Sequence, residues 1–135
     1  MLVLALAPLL GALAPAELVV EVRGLRNTRG LVHLCLTREP AHFPDCQGDQ
    51  RALRRTVQAS QAARITLSWT SGDYGLALVH DENGNGRLDT FLGIPREGYG
   101  FSRDAPVRFG PPSFSNARFS LQGRQTMAVN MRYII

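Results

Sequence analysis

The ten residues HDENGNGRLD, His80 to Asp89, concentrate oxygen-bearing side chains at regular spacing. Counted from Asp81, side-chain oxygens fall at positions 1 (Asp81), 3 (Asn83), 5 (Asn85) and 9 (Asp89), with glycine at position 6 (Gly86). This is the calcium-loop pattern D-x-[DN]-x-[DN]-G. Alternate side chains of a tightly curled loop converge on one centre, and Arg87 at position 7 can add its backbone carbonyl. Gly86 permits the bend because it tolerates positive φ. Calcium takes about six to eight oxygens, so the loop needs more than it carries. Position 12, a bidentate Glu in an EF-hand, is Leu92 here, and the loop follows a strand rather than a helix. The completing acid must come from elsewhere. Glu97 and Asp104 are the first candidates, with Glu82 a weaker one. With so few charges the expected affinity is on the order of 10⁻⁴–10⁻³ M. The same residues also suit a metal-free turn, since Asn and Asp side chains bond their own backbone.

Other chemistry is sparser. His33 and His80 lie on alternating stretches without zinc-ligand spacing. His80, Asp81 and Glu97 would mark the site of a small periplasmic hydrolase-like enzyme. Neither a G-x-S-x-G elbow nor a P-loop occurs, and no catalytic residue is assigned. Tyr99, Phe101, Phe109 and Phe114 are candidate ligand-binding aromatics, a stacking face for a sugar or peptide. Their alternative role is to plug the end of a core. Cys35 and Cys46 have ten residues between them; in an oxidising compartment they would form a disulfide.

Strands must position these groups. ELVVEVRGL (Glu17 to Leu25), LVHLCLT (Leu31 to Thr37), ARITLSWT (Ala63 to Thr70) and YGLALVH (Tyr74 to His80) alternate with period two. LRRTVQA is helix or strand, and strand is preferred. The first two strands are expected to form a hairpin, as are ARFSLQG and TMAVNMRYI near the end, and SGD is expected to be a tight turn. Periodicity disappears from Thr90 to Asn116, which predicts one long irregular loop. The fold class is all-β: a β-sandwich of about seven strands, immunoglobulin-like or transthyretin-like.

The opening MLVLALAPLLGALAPA is apolar, too short for a comfortable membrane span, and ends in A-x-A-like sites. It predicts a signal peptide over 1–16 and a single domain over 17–135, periplasmic or secreted, although no basic residue precedes Arg23. The mature chain then has no transmembrane span, and a monomer is expected. All fifteen basic residues are Arg, and the net charge of +4 is spread along the chain. Only Arg51, Arg54 and Arg55 cluster, without interleaved aromatics, which excludes the stripe a nucleic-acid groove requires.

HDENGNGRLDTFLGIPREGYGFS followed by FGPPSFSNARFSL resembles the signature of an uncharacterised bacterial family, domain of unknown function 2141. The resemblance extends from ELVVEVRGL to the last strand, and the cysteine pair is similar to that of some members. It implies an exported β-sandwich without an established activity. The expected function is a calcium-stabilised binding or envelope-interaction module whose partner is a cell-envelope protein or glycan. The enzyme above and a purely structural, metal-free domain are the alternatives.

Overall fold

The computed structural model describes residues 14–86, 97–107 and 110–134, and the backbone of 90–91 and 94–95. Among these, ten strands occur: β1 (Pro15–Arg23), β2 (Leu31–Thr37), β3 (Leu53–Gln58), β4 (Arg64–Thr70), β5 (Gly72–Asp81), the two-residue β6 (Thr90–Phe91) and β7 (Ile94–Pro95), β8 (Gly98–Phe101), β9 (Phe119–Leu121) and β10 (Arg124–Asn130). One sheet has the order β10-β1-β4. The other has the order β3-β2-β5-β8, with β9 also pairing β5. The protein is an all-β sandwich.

Alternation explains which side of each strand is buried. Leu18, Val20 and Val22 of β1, Ile65 and Leu67 of β4, and Tyr74, Leu76 and Leu78 of β5 meet in the core between the sheets. Burying each such side chain contributes roughly 1.5–3 kcal/mol. Alternation does not name partners, and the expected hairpins are corrected here. β1 pairs β4 antiparallel and β10 in parallel, whereas β2 pairs β3 and β5 in the opposite sheet. β9 joins β5 and β10 joins β1, so these two also lie in different sheets. Ser71 is not the centre of a tight turn. It carries the chain across from β4 to β5, which starts at Gly72. β1 begins at Pro15, and Ala16 is buried opposite Trp69, two residues ahead of the expected domain boundary. Residues 1–13 of the expected leader lie outside the described residues.

The span from Thr90 to Asn116 is not one irregular loop, for it contains β8. GYGF alternates with glycines where large side chains would be expected. A Cβ at Gly100 would come 2.6 Å from a Val129 methyl and 2.9 Å from the Met131 sulfur, so only glycine lets the C-terminal segment lie this close. Tyr99 and Phe101 point the other way, into a second apolar cluster with Cys35, Cys46, Ala77, Ala105 and Ala117, against which Phe43 also packs. The segments 38–52, 102–107 and 110–117 thus cover the outer face of the larger sheet. Ser102, wholly buried, fastens the second loop by donating to the Ala117 carbonyl and accepting from the Leu76 amide.

Cys35 and Cys46 form a disulfide with a Cα–Cα distance of 5.7 Å, closing the first of these loops. Replacing both by alanine is expected to reduce unfolding free energy by about 2–3 kcal/mol, from the restored freedom of the unfolded loop. Urea unfolding measures this, and unchanged stability would contradict it.

Candidate metal centre

Asp81 ends β5 and is wholly buried. The chain turns immediately afterwards, and the Gly84 amide donates to the Asp81 carbonyl at 3.2 Å. The Asp81 carboxylate organises the turn. Its Oδ2 accepts the Gly86 amide at 2.7 Å, and its Oδ1 accepts the Asn85 amide at 3.2 Å. The Asn83 side-chain oxygen also accepts from Asn85 N at 3.2 Å. Positions 1 and 3 of the motif therefore curl the backbone of positions 5 and 6 around themselves. A carboxylate offers about four lone-pair sites, and with His33 three of those on Asp81 are used. Gly84 and Gly86 take φ of 67° and 76°, the left-handed conformation that glycine allows without penalty.

His33 is the partner that sequence spacing did not reveal. Its Nε2 lies 2.8 Å from Asp81 Oδ2, and its Nδ1 lies 2.9 Å from the Thr56 hydroxyl. Asp81 accepts from Nε2, which leaves Nδ1 to accept from Thr56. This contact spans 48 positions and arises because β2 and β5 are antiparallel neighbours, with His33 opposite Val79. No local motif carries it.

His80 and Asp81 do not act as a pair. Successive strand residues project to opposite faces. His80 points into the sandwich, wholly buried, with Nε2 donating to the Arg29 carbonyl at 2.7 Å and Nδ1 accepting from the Tyr133 hydroxyl at 2.7 Å. Both ring nitrogens are used structurally. Burial raises the Tyr133 phenol above its ordinary pKa. The Arg26 guanidinium lies 4.4 Å from the Tyr133 ring centre and forms a bidentate ion pair with Glu82 at 2.5 and 3.0 Å. Hydrogen bonding from Arg26 holds the Glu82 carboxyl below its ordinary pKa. Glu82 is thereby engaged on the far side of the turn.

The two remaining acids separate clearly. The β5–β8 register ends with His80 opposite Gly98, so Asp81 and Glu97 are the next residues on each strand. Glu97 is also buried, at 4% exposure. Asp104 lies beyond the other end of β8, where it accepts from Asn130 at 2.8 Å and faces Arg132 at 3.8 Å. It is removed from the loop, because β8 runs away from Asp81. Arg87 and Asp89 lie outside the described residues. Among the described residues no group of three or more His, Cys, Asp or Glu side chains is arranged to hold a metal.

Tyr99 and Phe101 are almost wholly buried, and Phe114 packs edge-on against Phe43 at 5.8 Å between ring centres. Tyr99 and Phe101 belong to the second core and not to an open stacking face, whereas Phe114 lies half-buried against Phe43. Phe109 lies outside the described residues. Among the described residues no helix is long and apolar enough to cross a membrane.

A disulfide-stapled β-sandwich with an acid-capped glycine turn at one sheet end is the class of protein that fold and site define. The chain belongs to the family described as an uncharacterised protein conserved in bacteria (DUF2141), whose family model matches residues 20–129. No curated protein and no solved structure matches the chain.

Proposed function

We propose that this is an exported binding module of the bacterial envelope whose Asp81–Asp89 loop holds a structural calcium ion. The observation that carries the metal reading is the Asp81 carboxylate collecting the amides of Asn85 and Gly86, with buried Glu97 next in register. A buried carboxylate is costly unless it is neutralised or fully hydrogen-bonded. A cation held by both Asp81 and Glu97 would neutralise the two together. Asp81, Asn83, Asn85, the Arg87 carbonyl, Asp89 and Glu97 would supply the oxygens, and all are hard donors of the kind calcium prefers. The ion would tie the turn to the start of β8 and so brace the covering loop. The disulfide and the apolar leader support export.

Calcium that binds only the folded state stabilises it by mass action. At about 10 mM calcium and the affinity expected of such a loop, the gain is roughly 1.4–2.7 kcal/mol. Melting of the oxidised protein is expected to rise by several degrees over the value in chelator, and Asp89→Asn together with Glu97→Gln should remove the rise. Coincident melting curves in calcium and chelator would rule out the metal. Fractionation of cells expressing the tagged chain tests export separately.

A further inference from the structure

We propose that a second site, at the opposite end of β5 from the calcium loop, binds the carboxylate-bearing ring of an acidic saccharide. This rests on the reading of the chain as an envelope binding module, and it names what the module binds. The ten residues of β5 separate the two sites by roughly 30 Å.

A cavity of about 460 Å³ is lined by Arg38, Glu39, Asp49, Arg51, Trp69 and Tyr74. It meets a second cavity of about 470 Å³ at Arg38, where Ser71, Ser120 and Gln122 add hydroxyl and amide groups. Both are open surface depressions, with Arg38, Glu39 and Arg51 exposed. One wall comes from the segment 38–52, which the Cys35–Cys46 disulfide ties to β2. The buried Thr37 hydroxyl steadies it by donating to Asp49 at 2.5 Å and accepting the Glu39 amide at 3.0 Å. The other wall is Trp69 and Tyr74, at the point where the chain changes sheet.

The guanidiniums are the distinguishing feature. Among the described residues neither Arg38 nor Arg51 has a side-chain hydrogen bond or ion pair, whereas nearby Asp73 is already held by Arg118 at 2.6 Å. Arg38 is nonetheless placed. Its guanidinium carbon lies 5.8 Å from the Tyr74 ring centre and would be 3.5 Å from a Cβ at Gly72. A guanidinium kept near an aromatic ring, with its hydrogen-bonding edge unspent, can meet a carboxylate.

The rest of the lining selects the ligand class. A small inorganic anion would use the guanidiniums alone and leave Glu39, Asp49 and Trp69 without a ligand group. A pyranose carrying one carboxylate uses every group. Its hydroxyls donate to Glu39 and Asp49, its C–H face lies on half-buried Trp69, and its carboxylate meets Arg38 and Arg51.

The test is calorimetric titration of purified, oxidised protein in chelator with trigalacturonate, maltotriose, inorganic phosphate and hexaglutamate. Trigalacturonate is expected to bind saturably, with the other three at least about tenfold weaker. Arg38→Gln, and separately Arg51→Gln, should weaken it by about tenfold or more with melting unchanged. No binding of trigalacturonate, equal affinity for maltotriose or phosphate, or wild-type affinity in both arginine variants would overturn the proposal. Tighter binding of hexaglutamate would overturn it in favour of an acidic protein partner. Since purified protein in chelator is used, loss of the calcium effect or a cytoplasmic location would leave this result standing.

Discussion

Gly30→Ala is expected to lower the melting temperature by roughly 10–15 °C, equivalent to about 3 kcal/mol or more. Gly30 takes φ of 72°, where a Cβ costs about 1–2 kcal/mol by itself. Space is the larger problem. A Cβ on Gly30 would overlap the Asp81 carbonyl oxygen and crowd the Glu82 carbonyl, which are backbone atoms that cannot rotate away. The Gly30 carbonyl also accepts the Ala59 amide at 3.0 Å, so the residue cannot retreat freely. The substitution therefore pushes apart β2 and the turn that follows β5. Differential scanning calorimetry measures the effect, and a fall of less than about 3 °C would contradict this geometry.

Asp81→Ala is expected to cost about 3–5 kcal/mol even in chelator. It strips acceptors from the Asn85 and Gly86 amides and leaves His33 Nε2 without its carboxylate. Asp81→Asn should cost less, since an amide oxygen still accepts while its NH₂ opposes a donor. Asn83→Ala should behave differently. Asn83 is exposed, so its loss should leave stability in chelator within about 1 kcal/mol while removing much of the calcium-dependent gain. Urea unfolding in chelator and in calcium separates the two roles. Wild-type stability of Asp81→Ala in chelator would show that the carboxylate does not organise the turn.

Individual elements show where sequence reasoning succeeds. LVHLCLT is a strand over the expected residues because β-branched and apolar side chains alternate on a half-buried surface. HDENGNG is a glycine turn because Asp81 and Asn83 accept nearby amides, a local interaction that spacing expresses directly. β8 was hidden because its inward positions are Gly98 and Gly100, chosen by the close approach of the C-terminal segment and not by strand propensity. The alternation was present in Tyr99 and Phe101, but it pointed to a second core whose existence no local pattern announces.

The amino-acid sequence by itself determined the family, the strand-rich class, the cysteine pair and the calcium-like spacing, since each depends on residues close together in the chain or on composition. Only the tertiary structure decided which strands pair. It also set His33 against Asp81, buried Glu97 just ahead of β8, and sent His80 to the opposite face. It gathered Arg38, Arg51 and Trp69 around one cavity. The physical reason is range. A turn is governed by torsions and hydrogen bonds within a few residues, whereas a sheet can join any two strands whose faces and lengths match. That choice is made by the packing of the whole core.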